Sequence, residues 1–507
     1  MSDLPRIVIV ENGGQLTLNI QRILREEGYR SAVLDPKKAE AFIAKNPVDA
    51  VILSGGAASV YEKGAPTVPQ NVFSCGAAVM GICYGMQAIA HHLGGTVERS
   101  GGQYAAAGRI RLQGDSLLWR DMPQKQAVTL SHGDSVVTPP AGFEVAATRE
   151  DGTGIMAIAD DRRRIYAVQF HPEAVDSEHG RRLLLNFLAI ARCGKNWKPQ
   201  SLAQSIEDRM VREVGDDIAA VGFSGGVDST TVARIGRVLG DRLIAITLDA
   251  GNLREGELEE IRLHARLAGV RHEIIDIRNR FEYAFMHTAD SEVERKIFQR
   301  LYAAALKERA LAHGAKFIFQ GTLAPDLIES AATGAAKIKT HHNVGIDWSP
   351  LTILEPVSEL FKYEVRDLAR GLELAESVWK RHPFPGPGLF LRVVGTPILF
   401  PRVEVVRQAD SIATRIVKRH GIYDELSQMP TAVFFGDRVT GVRGDGRAYE
   451  HMAVVRPVTT SDFMTLKGRH LPDEVEDEIN FEMSKHPQLL GALFDYNPKP
   501  PHTTEFK

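Results

Sequence analysis

Apolar residues recur along this chain in two rhythms. Short apolar runs such as Ile7–Val10, Ala50–Leu53, Val79–Ile82, Ile218–Val221, Leu243–Leu248 and Phe317–Phe319 are bounded by glycine or polar residues. They read as strands buried on both faces, the form strands take in a parallel sheet. Between them apolar residues recur every three or four positions, as over 18–27 and at Leu202, Ile206, Met210 and Val214. That spacing predicts helices with one buried stripe. The alternation predicts an α/β architecture. The pattern is interrupted twice: Gly194–Gln200 is polar and reads as a linker, and Pro383–Leu389 holds three prolines and two glycines and reads as a stiff hinge. Beyond that hinge helices and strands mix. The expected organisation is two doubly wound parallel-sheet domains, residues 1–195 and 196–384, followed by a smaller α+β domain over 385–507.

Two strand-to-helix turns carry candidate chemistry. One is Gly222-Phe223-Ser224-Gly225-Gly226-Val227-Asp228-Ser229-Thr230, which follows a predicted strand and precedes helical spacing at Thr231–Ile235. Such a turn aims free N–H groups and the positive end of a helix at one point, an anion site. Ser224, Ser229 and Thr230 add hydroxyl donors, and Gly225 and Gly226 let backbone approach a phosphate. No Gly-Lys-Ser/Thr follows, so it is not a Walker-type loop. Asp249 ends the next predicted strand, where an acid can face a nucleotide in the crevice.

The other turn is Gly81-Ile82-Cys83-Tyr84-Gly85-Met86-Gln87. Cys83 there sits in a sharp bend at a helix N-terminus, a setting that favours thiolate. A thiolate needs a base, and the base an orienting carboxylate. His171 and Glu173, two apart after the predicted strand Ala167–Phe170, are the candidates.

Bulk properties narrow the partners. The net charge is −3, so no basic character drives nucleic-acid binding, and no apolar run reaches membrane-spanning length. The three cysteines, Cys75, Cys83 and Cys193, do not suggest a disulfide framework. With a strand starting at Ile7 and no room for a signal peptide, a cytoplasmic location is expected.

The loop 222–230 resembles the pyrophosphate loop of the N-type ATP pyrophosphatases, and Cys83 in its setting resembles the nucleophile of class I glutamine amidotransferases. Two longer runs, Gln320–Ser330 and Ile338–Gly345, together with the linked amidotransferase segment, resemble the glutamine-hydrolysing GMP synthases over essentially the full length. That resemblance implies glutamine, ATP and XMP as substrates, Mg2+ as cofactor with Asp228 as a ligand, and a homodimer formed by the third domain. It implies Gly55 and Gly56 as the oxyanion turn, and Gln87 with Ser131, His132 and Gly133 as glutamine-binding segments. Ser224 to Thr230, Val227 included, and Asp249 would hold ATP. Arg295, Asp326, Glu329, Lys339, His341, His342, Lys362, Arg438, Arg443, Lys499, Thr503 and Glu505 would serve the XMP site and its lid. Lys339, His341 and His342 are also suited by charge to a polyanion.

The sequence departs from the family at several of these places. Glu11-Asn12-Gly13-Gly14-Gln15-Leu16 replaces the family's usual Asp-Phe-Gly-Ser-Gln-Tyr, Arg443 stands where glutamine or methionine is common, and Thr504, Phe506 and Lys507 replace isoleucine, tryptophan and glutamate. An extra cation from Arg443 beside the acceptor is the corresponding expectation. Two alternatives stay open: a paralogue amidating a related purine nucleotide, and a nucleotide-sensing regulatory descendant.

Overall fold

The computed structural model describes residues 4–324, 347–460, 466–499 and 502–507. They form two compact units, residues 1–198 and 199–507.

In unit 1 the strands are β1 (Ile7–Val10), β2 (Ser31–Leu34), β3 (Ala50–Leu53), β4 (Ala78–Ile82), β5 (Thr96–Leu112), β6 (Lys125–Thr138), β7 (Glu144–Arg149), β8 (Ile155–Asp160) and β9 (Ile165–Val168). They lie in one sheet in the order β2-β1-β3-β4-β9-β8-β7-β5-β6. From β2 to β9 all pairings are parallel. From β9 to β6 all are antiparallel. The parallel half was expected; the antiparallel half is an addition. The unbroken apolar runs are explained by cover on both faces: Ile7, Ile9 and Ile52 belong to one hydrophobic cluster, whereas Val8, Val10 and Val51 belong to another.

Unit 2 begins with β10 (Ile218–Gly222), β11 (Leu243–Asp249), β12 (Arg271–Asp276), β13 (Ala315–Phe319) and β14 (Thr352–Leu354). They form an all-parallel sheet ordered β12-β11-β10-β13-β14. The strand order reverses direction at β10, whose C-terminal end carries the glycine loop, the place where such sheets bind ligands. A second, mixed sheet, β15-β16-β17-β20, uses β15 (Val393–Val394), β16 (Thr431–Arg443), β17 (Gly446–Val455) and, after the short pair β18 (Val458–Thr459) and β19 (Lys467–Gly468), β20 (Leu489–Phe494). Helices Phe400–Arg419 and Asp473–Ser484 accompany it. The two sheets lie on either side of residue 384, yet one hydrophobic cluster runs from Ala220 and Ile244 through Leu389 and Phe390 to Val433 and Ala492. The stretch 383–389 is tied down: Asn252 Nδ2 donates to the Gly386 carbonyl at 2.8 Å, and the Leu389 N–H to the Asn252 carbonyl at 2.9 Å.

Candidate functional site

In unit 1 the site is built at the C-terminal ends of β3, β4 and β9. Cys83 turns the chain from β4 into helix Tyr84–His92 with φ 52° and ψ −106°, outside the regions an L-residue ordinarily occupies. Its neighbours must be glycine: a Cβ on Gly81 would strike the Gly85 carbonyl, and one on Gly85 the Leu53 carbonyl. The Cys83 N–H donates to the Val168 carbonyl at 2.8 Å, pinning the elbow to β9. Just past β9, His171 Nδ1 and Glu173 Oε1 are 2.8 Å apart, and both side chains are buried. A Cβ placed on Gly55 would stand 3.0 Å from His171 Cε1 and 3.7 Å from Cys83 Cβ, so base and nucleophile flank this one glycine.

Electrostatics fit that arrangement. Burial disfavours a charged imidazole at residue 171, but hydrogen bonds to Cys83 and Glu173 and their charges outweigh it, and the pKa of His171 is raised to about 10. An imidazolium beside the sulfur is the partner a thiolate needs. His132 goes the other way: burial, then the charges of Arg149 and His171, push it down to about 4, and neither ring nitrogen has a hydrogen-bond partner among the described residues. The Ser131 carbonyl lies 3.3 Å from Cys83 Sγ. Gln87 is buried and donates from Nε2 to the Asp134 carbonyl at 2.8 Å, and Tyr61 donates to Asp134 Oδ1 at 2.9 Å. Gly133 and Ser131 are exposed.

The turn at Gly55 and Gly56 is braced from β1. Asn12 donates from its backbone to Ser54 Oγ and from Nδ2 to the Ser54 carbonyl, each at 3.0 Å. Glu11 Oε1 accepts from the Gly13 and Gly14 N–H groups at 2.7 and 3.0 Å. A Cβ on Gly56 would lie 2.5 Å from the Asn12 carbonyl oxygen, so backbone packs on backbone here. The departure at Glu11–Gly14 therefore makes a self-consistent support for the turn.

In unit 2 the loop after β10 ends in helix Val227–Gly236, with Gly226 at its N-cap. Gly225 has φ +68°, and its carbonyl accepts from His264 Nδ1 at 2.8 Å. Ser224 Oγ and Ser229 Oγ are 3.1 Å apart, and Ser224 Oγ accepts from the Gly226 N–H at 3.4 Å, which closes the loop on itself. The Thr230 hydroxyl is buried and has no partner among the described residues. Asp228 pairs through Oδ2 with Lys362 Nζ at 2.5 Å, while its Oδ1 is buried without a partner among the described residues. Lys362 opens the helix Lys362–Gly371. Gly321 closes on the loop from β13, since a Cβ there would stand 3.1 Å from Asp228 Cβ. Asp249, at the end of β11, accepts from the Gly251 N–H at 2.8 Å.

The segment 502–507 is anchored by nested ion pairs. Lys507 Nζ lies 2.8 Å from Glu294 Oε2, with the two side chains 2% and 3% exposed. Glu505 meets Arg392 at 3.2 Å, and Arg392 also donates to Asp410 at 2.6 Å. Arg456 donates to the Thr503 carbonyl at 2.6 Å and lies 4.0 Å above the Phe506 ring. Arg295 donates to the Lys507 carbonyl.

Residues 8–191 match the model of the class-I glutamine amidotransferases, 218–305 that of the queuosine biosynthesis protein QueC, and 415–506 that of the GMP synthase C terminal domain. The chain is 39% identical to the glutamine-hydrolyzing GMP synthase of Thermobifida fusca, over 100% of this chain and 98% of the relative. It is 39% identical to that of Thermus thermophilus, over 99% and 100%, and 38% identical to that of Pyrobaculum aerophilum, again over 99% and 100%.

This chain belongs to the glutamine-hydrolysing GMP synthase family.

The residues expected from that family fall into three groups. Cys83, His171, Glu173, Gly55, Gly56, Gln87 and the 131–133 segment converge in unit 1. Ser224–Thr230 and Lys362 meet at the loop of unit 2, whereas Asp249 ends the neighbouring strand β11 and contacts Gly251 and Arg278. The third group is dispersed. Glu505 and Thr503 belong to the anchored segment 502–507, and Lys499 pairs across a backbone bridge with Leu466. Arg438 is exposed at an irregularity of β16. Arg443, expected as an extra cation at the acceptor, instead grips Glu450 with two bonds of 2.6 Å and donates to the carbonyls of Ser484, His486 and Leu489. Asp326, Glu329, Lys339, His341 and His342 lie outside the described residues. Sequence reasoning missed Gln169, Arg392, Asp410 and Glu294. Gln169 directly precedes Phe170 and His171 and could have been found there; the buried Arg392 gives no local signal.

Proposed function

We propose that this family member makes GMP from XMP with nitrogen taken from glutamine, at the cost of ATP converted to AMP and pyrophosphate. In unit 1 the Cys83 sulfur attacks the side-chain carbonyl carbon of glutamine, and the oxyanion is held by backbone N–H groups at Gly55 and Gly56. His171, oriented by Glu173, delivers a proton to the departing ammonia. Water then cleaves the thioester to glutamate. In unit 2 the C2 oxygen of XMP attacks the α-phosphorus of ATP; pyrophosphate leaves into the Ser224–Thr230 loop, whose N–H and hydroxyl groups suit its charge. Ammonia attacks C2 and AMP departs. Adenylation is needed because the C2 oxygen is otherwise a poor leaving group.

Magnesium fits here: Asp228 Oδ1, buried and unpartnered among the described residues, offers a hard oxygen ligand beside the loop. When bound with nucleotide, the ion would neutralise phosphate charge, and Lys362 would hold the other carboxylate oxygen. Arg438, Lys499 and Thr503 are assigned to the XMP phosphate and base. The Arg443 donors are already taken by Glu450 and three carbonyls, and this favours XMP itself over a nucleotide needing a further cation.

A homodimer in the cytoplasm is part of the same reading. The exposed apolar residues Phe434, Val442, Tyr449 and Leu493 on β16, β17 and β20 supply the surface it would cover. A single-chain mass by light scattering would count against it.

The observation that carries the proposal is the meeting of Cys83, His171 and Gly55 at one point. Cys83→Ala should abolish GMP formation from glutamine while ammonium still supports it in unit 2. Loss of both, or of neither, contradicts the assignment.

A further inference from the structure

Gln169 is fully buried, 0% exposed, although it carries an amide. Its backbone N–H donates to the Met156 carbonyl at 2.9 Å, which fixes where the side chain starts. Its Nε2 lies 3.8 Å from Cys83 Sγ, and its Oε1 3.5 Å from Gln87 Nε2. Gln87 Nε2 also donates to the Asp134 carbonyl at 2.8 Å. This chain of contacts has one direction. The Asp134 carbonyl only accepts, so Gln87 must present its NH2 group there. That same NH2 group faces Gln169 Oε1, which leaves the Gln169 NH2 group toward the sulfur. A flipped Gln169 would oppose two NH2 groups and set an oxygen against Sγ.

We propose that Gln169 is a donor to the Cys83 sulfur, held in its donating orientation by Gln87 as a positioning residue. The proposal rests on the glutaminase reading of unit 1. The His171 ring and Cys83 flank Gly55, the Ser131 carbonyl stands 3.3 Å from the sulfur, and Gln169 adds a neutral N–H from its own side. As Sγ attacks, its electron pair forms the carbon–sulfur bond and the negative charge moves to the carbonyl oxygen. When water later displaces the thioester, the carbon–sulfur bond breaks and its pair returns to Sγ, where the Gln169 N–H meets it again. The donor thus favours the sulfur both as resting thiolate and as leaving group.

The test is the pH profile of Cys83 alkylation by iodoacetamide in the full-length protein, followed by mass spectrometry at that residue. Gln169→Met keeps volume and removes both donors; the profile should move up by about one pH unit. Gln169→Glu, which places an acceptor against sulfur, should move it further. Gln87→Met leaves Gln169 free to turn and should give a smaller upward shift. Glutamine-dependent kcat should fall in the same order. If Gln169→Met does not fold, judged by far-UV circular dichroism and thermal unfolding of the full-length protein, Gln87→Met decides alone. Unchanged profiles, or an equal shift for Gln169→Met and Gln169→Glu, overturn the proposal. Alkylation needs no turnover, so a wild-type protein that alkylates normally yet never hydrolyses glutamine would sink the glutaminase reading instead.

Discussion

A buried imidazole beside two partners and a buried imidazole with none among the described residues part company in proton affinity, and unit 1 contains one of each. His171 is held protonated up to about pH 10 by Cys83 and Glu173. His132 is held neutral down to about pH 4 by burial. Between the ordinary 6.5 and 4, the unfolded chain takes up a proton at residue 132 that the native chain does not. Falling pH therefore favours unfolding through this residue across that window. His132→Leu should flatten the acid side of the unit 1 unfolding midpoint plotted against pH; a slope identical to wild type contradicts the assignment. His171 contributes oppositely: its pairing stabilises fully below 6.5 and is lost as pH rises through about 10. At this scale the candidate groups Cys83, His171 and Glu173 stand out in the sequence, because a cysteine in a glycine-flanked turn has few other uses, and the structure brings them together. The supporting amides do not stand out, because a buried glutamine gains its meaning only from which atoms face it.

Elements that build the site were harder to see in sequence than elements that build the core. Along β6 the burial pattern alternates strictly, and its inward positions are Gln126, Val128, Leu130, His132, Asp134 and Val136. Half of those are polar, and His132 and Asp134 belong to the segment beside Cys83 and Gln87, so the apolar alternation that announces a half-buried strand is broken near the candidate site. The unbroken apolar runs of β1 and β3 carry no polar residue and were readable at once. The segment 502–507 shows the reverse limit. A charged stretch of this kind usually reads as solvated, yet Lys507 and Glu294 form a buried pair. Breaking such a pair from one side leaves an uncompensated buried charge. Lys507→Met should therefore destabilise unit 2 by about 3–5 kcal/mol, whereas Lys507→Met with Glu294→Met should recover most of the loss. Denaturant midpoints of the two single variants and the double variant measure this; additive losses would show that the pair is not coupled.

The whole chain joins two chemistries that could each stand in a separate protein. One unit carries a cysteine elbow at the end of a half-parallel sheet; the other carries an anion loop at the point where an all-parallel sheet changes direction. No helix among the described residues is long and apolar enough to cross a membrane. The two-unit division falls near residue 198, beside the polar stretch Gly194–Gln200. The sharing of one core by both sheets of unit 2 has no local signal in the sequence, because Leu389 and Phe390 lie at the end of a proline-rich stretch that reads as a break. Phe390 is 1% exposed and lies 5.2–6.2 Å, ring to ring, from Phe281, Phe285 and Phe298. The functional claim for the molecule is that nitrogen freed at Cys83 ends on a purine at the loop. Its most direct test is to supply glutamine with an isotopically labelled amide nitrogen, together with XMP and ATP, and to weigh the products. The account predicts GMP carrying the label on its exocyclic amine, with one AMP and one glutamate formed for each GMP. Unlabelled GMP, ADP in place of AMP, or no aminated purine at all would contradict it.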